Sequence, residues 1–309
     1  MQVHRTLPDE RILSDCALTI GTFDGVHRGH QLLIQKLKVE SDRRDLQSVA
    51  LTFDDMPICL LRPEVCPPLL TLADEKIEAF SQTPLDHLFI VPFTRVIAAQ
   101  GARQWMQGWV NNIGLKLFVG GPDFALGRNR EGTIAALGEM GKELGFEAMS
   151  LDGKLTEGEA PISSTRSRKA IERGEVERAP AFLGHFYRMS GRVVAGQQLG
   201  RTIGFPTINI EPAFRKCLPR SGVYAIRARW DDQVFPAALN IGLRPTVNGS
   251  HRQIEFHVIN QDIVMAPAQV EIEFIARLRN EAKFDGLQSL QRQLQIDTQQ
   301  AQAILRQKL

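Results

Sequence analysis

The sequence predicts an α/β unit built on a parallel sheet, followed by a small antiparallel β-barrel with a closing helix. Three observations lead there. Over the first part, apolar strand-like runs alternate with helix-like segments, the order that builds a parallel sheet covered by helices. Beyond residue 184, six short runs follow in about a hundred residues, several alternating in polarity and separated by Gly, Pro and Asn; that spacing suggests a small barrel. The end of the chain, 286–307, repeats apolar residues at helical spacing.

The strand-like runs of the first part are 16–21, 48–53, 87–93, 115–120 and 147–152. Helix-like segments lie between them at 30–43, 73–81, 99–112 and 133–144, and a further helical pattern over 167–184 closes this part. The second part offers strands at 187–196, 207–210, 222–230, 235–242, 252–259 and 269–278. In the terminal helix Leu287, Leu290, Leu294, Ala301 and Ile304 fall on one side. The expected domains are therefore 1–184 and 185–309, and no internal repeat is visible.

Composition restricts the function classes. The chain has 309 residues with 43% hydrophobic and 23% charged, the balance of a globular protein. A net charge of +2 gives no sign of nucleic-acid coating, and no run of apolar residues is long enough to span a bilayer. The N-terminus is too polar for a signal peptide. The four cysteines, Cys16, Cys59, Cys66 and Cys217, show no pairing rhythm and are expected to be free thiols in a reducing cytoplasm. Nothing in the sequence points to a protein partner.

The stretch "GTFDGVHRGH" (21–30) stands between the first strand and the first helix. Its glycines are spaced by four, unlike a dinucleotide fingerprint, and His27 and His30 lie between and after them. Small residues let a backbone approach a phosphate, and the helix start adds unpaired N–H groups and a positive dipole end. Two imidazoles there can donate to phosphate oxygens, which nucleotidyl transfer requires. A plain helix start with an exposed histidine pair is the competing reading; zinc is disfavoured because the His-x-x-His spacing lacks a nearby carboxylate or cysteine partner of the usual kind. The candidate phosphate contacts are Gly21, Thr22, Phe23, Asp24, Gly25 and Gly29.

A second segment, "PISSTRSRKAI" (161–171), sets Ser163, Ser164 and Thr165 at a helix start with Arg166 and Arg168 just inside. Hydroxyls there cap the helix. Arginines in a first turn oppose the macrodipole, which a bound anion would explain. In the second part, "GRTIGFPTINI" (200–210) places Thr207 and Asn209 on one face of a strand, two hard-oxygen donors suited to Mg²⁺. A β-bend with a polar outer face is the alternative there. Glu255 alternates with Ile254 and Phe256, and periodicity alone permits an exposed face.

"GTFDGVHRGH", "GPDFALGRNREG", "ISSTRSR", "GRTIGFPTINI", "GVYAIRA", "NIGLRPTV" and "LRNEAKF", in that order over nearly the whole chain, resemble the prokaryotic bifunctional riboflavin kinase/FMN adenylyltransferases, also called FAD synthetases. The resemblance implies an HxGH-type, Rossmann-like nucleotidyltransferase domain followed by a barrel of riboflavin kinase type. His27 and His30 match the family's phosphate-stabilising pair; Ser164, Thr165 and Arg166 match its triphosphate segment. Asp123 and Phe124 match a loop that lines its nucleotide and flavin sites. Gly204, Pro206, Thr207 and Asn209 match its Mg²⁺-nucleotide motif, and Glu255 its catalytic base. "LRNEAKF" also matches the family, and its Arg279 and Glu281 are expected either to contact flavin or nucleotide or to pair with each other as surface ions. Implied substrates and products are ATP, riboflavin, FMN and FAD, with Mg²⁺.

Three departures from the family pattern stand out. Met56 replaces a position that is often His; Ala195 replaces a His ahead of the Mg²⁺ motif; and 259–274 lacks the family's D-L-Y-G. Two of them fall in the kinase half. The alternative function is accordingly an FMN adenylyltransferase whose kinase-like half only binds flavin, and a third is a non-catalytic flavin sensor.

Overall fold

Every residue of Cys16–Ile20 is buried, as a strand covered on both faces requires. In the computed structural model, which describes all residues except 152, 197, 198, 247, 248, 262, 264, 265, 308 and 309, the chain divides into two units, Met1–Ser164 and Thr165–Leu309. The first unit runs β1 (Gln2–His4), β2 (Cys16–Ile20), α1 (Arg28–Arg43), β3 (Gln47–Phe53), α2 (Pro57–Leu61), α3 (Ala73–Ser81), β4 (His87–Val91), α4 (Arg95–Ala99), α5 (Ala102–Ile113) and β5 (Leu115–Gly120). It continues with β6 (Ala125–Leu126), β7 (Gly132–Thr133), α6 (Ile134–Leu144), β8 (Glu147–Ser150), β9 (Thr156–Glu157), β10 (Ala160–Pro161) and the start of α7 (Ser164–Glu172).

The main sheet has the order β1-β4-β3-β2-β5-β8, and every neighbouring pair is parallel. Residues alternate between two apolar layers. Leu18, Val49 and Leu51 face Met106, Trp109 and Ile113 of α5, whereas Ala17, Ala50 and Leu88 face Leu33, Ile34 and Leu37 of α1 and Phe80 of α3. The chain winds from β2 out to β4 and then returns to lay β5 on the other side of β2. Winding thus reverses at β2–β5, and the loops after these two strands open onto the crevice where α/β sheets bind ligands.

The expected strands and helices of this unit are present, and the short elements α2, β6, β7, β9 and β10 add to them. An edge strand, β1, was not expected; three residues are too few to show a period. The helix expected over 99–112 is two helices broken at Gln100–Gly101, with Thr94 capping α4 through Ile97 N (3.2 Å) and the Glu131 carboxylate accepting from Ala102 N (2.6 Å). Finally, Cys59 and Cys66 form a disulfide. Helix α2 and the turn Pro63–Val65 fold back and bring their Cα atoms to 4.6 Å, a proximity that spacing alone does not reveal. The expectation of four free thiols is corrected: only Cys16 and Cys217 are free, both buried.

In the second unit, the rest of α7 and α8 (Ala179–Leu183) lead into β11 (Tyr187–Val194), α9 (Leu199–Thr202), β12 (Ile208–Pro212), β13 (Gly222–Trp230), β14 (Gln233–Thr246), β15 (Gly249–Val258), β16 (Gln269–Arg279) and α10 (Leu287–Gln307). The six expected strands close into an antiparallel barrel of order β11-β12-β15-β14-β13-β16. Tyr224, Ile226, Leu239, Ile241, Ile254, Phe256, Ile272 and Phe274, each no more than 1% exposed, belong to its core.

Helix α10 packs on β13, β14 and β16. Its inward face differs from the expected stripe. Ala301 and Leu305 are buried, but Leu287 is exposed, and Asp297 is buried in place of a hydrophobe. The reason is a partner from β16: Arg279 grips the Asp297 carboxylate through two guanidinium nitrogens at 2.7–3.1 Å, and Gln293 adds a bond at 2.9 Å.

Candidate active sites

The turn after β2 is strained in a specific way. Phe23 (φ +47°) and Val26 (φ +36°) both take left-handed backbone, with Gly25 (φ +80°) between. For a β-branched residue that conformation is a rarity, and it persists only where surroundings hold it. Here Phe23 and Val26 are buried in the apolar layer around α1, Phe23 standing edge-on to Phe80 and His30. Asp24 is a latch: its Oδ1 accepts from Leu70 N (2.9 Å) and Thr71 N (3.0 Å), while Thr71 Oγ1 accepts from Gly25 N (3.0 Å). The Asp24 carboxylate, grouped above with the phosphate contacts, faces these amides and is 1% exposed. Ser164 Oγ donates to Asp24 O (2.8 Å) and ties the start of α7 to the turn.

His27 is the N-cap of α1, and its Nδ1 accepts from His30 N (3.3 Å). That bond leaves the proton of the neutral ring on Nε2, free to donate. Gly29 makes the geometry possible, since a Cβ there would come within 3.2 Å of the His27 ring. The His27 and His30 rings stack with centroids 3.5 Å apart. Burial lowers the His27 pKa to about 4. Burial, then the neighbouring His27 and the Lys76 ammonium, hold His30 well below its usual value. Both rings are neutral at pH 7 and can act as hydrogen-bond donors without net charge. An exposed histidine pair, the competing reading of this stretch, does not describe them.

A cavity of about 680 Å³ opens beside the turn. Gly21 and Thr22 form one wall, Phe53, Phe93 and Trp105 supply aromatic surface, and Asp123–Arg130 form another wall. The two histidines are not among its lining residues. Phe124 leans on Phe118 (centroids 4.9 Å apart), and the β6–β7 hairpin carries the loop. Asp123 itself is exposed and ion-paired with Lys154. Met56 is buried at the start of α2, whose Pro57 and Leu61 reach the same cavity. Of the triphosphate segment, Ser164 ends the first unit, and Thr165 and Arg166 begin the second, where Arg166 stacks on the Phe182 ring at 5.1 Å and Arg168 is buried.

The second unit carries two adjoining cavities that share Thr207. One, of about 180 Å³, is lined by Val193–Gly196, Arg201, Pro206, Thr207 and Asn209; Ala195 is part of this wall. The other, of about 330 Å³, lies under α10 and contains Thr207, Asn240, Gln253, Glu255, His257, Arg279 and Phe284. The polar face of β15 therefore looks into a cavity beneath α10, which resolves the ambiguity of its alternating pattern. Thr207 Oγ1 donates to Glu255 Oε2 (3.3 Å), and Asn209 sits directly across the ladder from Glu255. Gln253 Nε2 donates to Asn209 Oδ1 (2.9 Å) and fixes that amide's orientation, a role no motif announced. His257 Nδ1 lies 2.9 Å from Pro206 O and so carries its proton there. Gly204, at φ +81°, turns the chain between α9 and this segment. Arg279 is in the wall, but its guanidinium is held by Asp297; it does not pair with Glu281, whose carboxylate accepts from Leu243 N.

Among the described residues, no group of three His, Cys, Asp or Glu side chains could hold a metal. Thr207 and Asn209 offer a neutral hydroxyl and a neutral amide oxygen, a pair that suits a hard cation sharing its shell with phosphate oxygens. The missing D-L-Y-G segment includes residues 262, 264 and 265, which lie outside the described residues.

Two family models match, FAD synthetase over residues 9–166 and riboflavin kinase over 183–305. The bifunctional riboflavin kinase/FMN adenylyltransferase of Escherichia coli (strain K12) is 37% identical over 284 residues, covering 91% of this chain and 90% of that protein. The chain belongs to the bifunctional riboflavin kinase/FMN adenylyltransferase family. The family member from Haemophilus influenzae is 35% identical with 98% of this chain covered, and that of Bacillus subtilis 32% with 97% covered. A solved structure described as a macrolide-efflux protein from Streptococcus pneumoniae superposes with a TM-score of 0.89 at 25% identity over 98% of this chain. Efflux is not carried over to this family member; among its described residues no helix is long and apolar enough to cross a membrane.

Proposed function

We propose that this chain phosphorylates riboflavin to FMN in the barrel and adenylylates FMN to FAD in the α/β unit, using Mg²⁺-ATP for each step in the cytoplasm. The assignment of the steps to domains 1–184 and 185–309 is part of the proposal. One observation carries it: Thr207, shared by two adjoining cavities, is hydrogen-bonded to Glu255. A nucleotide in the smaller cavity and a flavin in the larger would meet at that pair.

The ribityl 5′-hydroxyl is neutral, so its attack on the γ-phosphorus needs a group to orient it and take its proton, and Glu255 does both. Thr207 and Asn209 would hold Mg²⁺, with Gln253 keeping Asn209 Oδ1 in place, and the cation would screen the phosphates. Gly204 and Pro206 shape the approach to the nucleotide. In the first unit the nucleophile is the FMN phosphate, mostly dianionic at neutral pH because its second pKa is about 6. No base is needed. The neutral His27 and His30 donate to the phosphate oxygens, the small residues of the turn Gly21–Gly29 leave room for them, and the start of α1 supplies amide donors. Asp123 and Phe124 border the flavin.

The test is to incubate pure protein with riboflavin, ATP and Mg²⁺ and separate the flavins. FMN and FAD are both expected. FAD formed only from supplied FMN would remove the kinase half of the proposal, and no conversion of either flavin would overturn it.

A further inference from the structure

Lys76 lies in α3, is 1% exposed, and was not singled out by any motif. Its Nζ donates to Phe53 O (2.6 Å), Thr22 O (3.0 Å) and Thr52 Oγ1 (3.4 Å), and Thr52 Oγ1 donates in turn to Thr22 O (3.0 Å). The acceptors are carbonyl and hydroxyl oxygens. No carboxylate among the described residues makes an ion pair with this ammonium. A buried cation with no carboxylate in direct contact is costly, and a methionine would fill nearly the same volume without that cost. The residues it holds are telling. Phe53 ends β3, and Thr22 is the second residue of the turn after β2. Both line the 680 Å³ cavity at the carboxyl edge of the sheet.

We infer that Lys76 is a positioning residue for adenylyl transfer: it clamps the Thr22 and Phe53 carbonyls behind the phosphate turn and sets a positive charge beside the histidine pair. Two effects follow. Carbonyl oxygens bonded to the ammonium are held back from the space an anionic triphosphate would enter. The charge also opposes protonation of His30, keeping that ring in its neutral, donating form. The charged and titratable groups facing Lys76 are Asp24 in the turn, Asp54 and Asp55 after β3, and His30 on α1 with His27 stacked on it. On its own helix, Asp74 pairs with Arg5 and Glu75 accepts from Leu72 N. Burial lowers the Lys76 pKa to about 8, so the clamp loses its charge within the working range of an assay.

The inference rests on the proposed FMN adenylylation, and the experiment separates the two. FAD formation from FMN is followed from pH 5 to 10 for wild type, Lys76→Met and Lys76→Arg. Wild type is expected to lose rate as pH rises through about 8. Lys76→Met should lower kcat roughly 10- to 100-fold, the scale of a small misplacement, with KM for FMN within about twofold and no alkaline limb near 8. Lys76→Arg should keep more activity than Lys76→Met, with its alkaline limb moved upward. A Lys76→Met enzyme with wild-type kcat, or with the wild-type alkaline limb, overturns the inference. Should Lys76→Met not fold, by circular dichroism, Lys76→Arg decides: an unmoved alkaline limb overturns the inference. Wild type that makes no FAD overturns the functional reading and this inference together.

Discussion

At the scale of single residues, the stacked His27 and His30 are placed to act through two N–H donors and not through charge. Replacing either with Ala should cut FAD formation by about 10²–10³, the size of one lost transition-state donor, while riboflavin phosphorylation survives. Unchanged FAD synthesis in the double variant would sink the role. The same burial makes the fold acid-sensitive. Above pH 6.5 the rings are neutral folded or unfolded; below it the unfolded chain takes up protons that folded His27 refuses until about 4. Stability should fall across that window, by up to about 3 kcal/mol from His27 alone, and His27→Gln should flatten the loss in urea titrations between pH 6.5 and 4. In the barrel, Glu255→Gln should depress FMN formation strongly and leave adenylylation of supplied FMN near wild type. Thr207→Ala should act on the same step through the metal, so raised Mg²⁺ restores part of its rate and none of that of Glu255→Gln. Equal rescue of both would mean that Glu255 is not the base. His27, His30, Thr207, Asn209 and Glu255 stand out as candidates because the order of their motifs along the chain carries the family pattern. Lys76 and Gln253 do not. A lysine on a helix ordinarily reads as solvated, and Gln253 matters only through the strand laid beside it.

Secondary-structure elements show the same division. Period and punctuation exposed the buried strands and the barrel staves, since these depend on neighbours in sequence. Features made by contacts that no period or punctuation marks stayed hidden: β1 on β4, the Cys59–Cys66 bridge, and Asp297 on the inner side of α10. The last of these yields a prediction. Asp297→Ala strips Arg279 of the carboxylate that joins α10 to β16. The second unit should lose about 3 kcal/mol in denaturant, and KM for riboflavin should rise because α10 and Arg279 wall the larger cavity. Adenylylation of FMN is the internal control. A variant with wild-type stability would show that packing of Ala301 and Leu305 alone seats the helix.

For the molecule as a whole, the two units each contain complete cavities. A fragment of residues 165–309 should fold and form FMN but never FAD. Shortened to 185–309, it loses Glu177, whose carboxylate accepts from Arg277 N (2.5 Å), and the helical segment around it. The shorter fragment should keep the same product and melt at lower temperature; FAD from either piece, or equal melting, would contradict this division of labour. Closure of the barrel also sets an order of events during synthesis. Strand β11 finds its second partner, β16, only when residues 269–279 have emerged from the ribosome. The parallel sheet, by contrast, has its last strand once residue 150 is out. On a chain grown at ~5–20 residues per second, the α/β unit has several seconds to fold while the staves of the barrel wait with open edges. Such edges are the surfaces through which strands of different chains pair, so nascent-chain aggregation should arise from the half-made barrel and cease when the last stave is added.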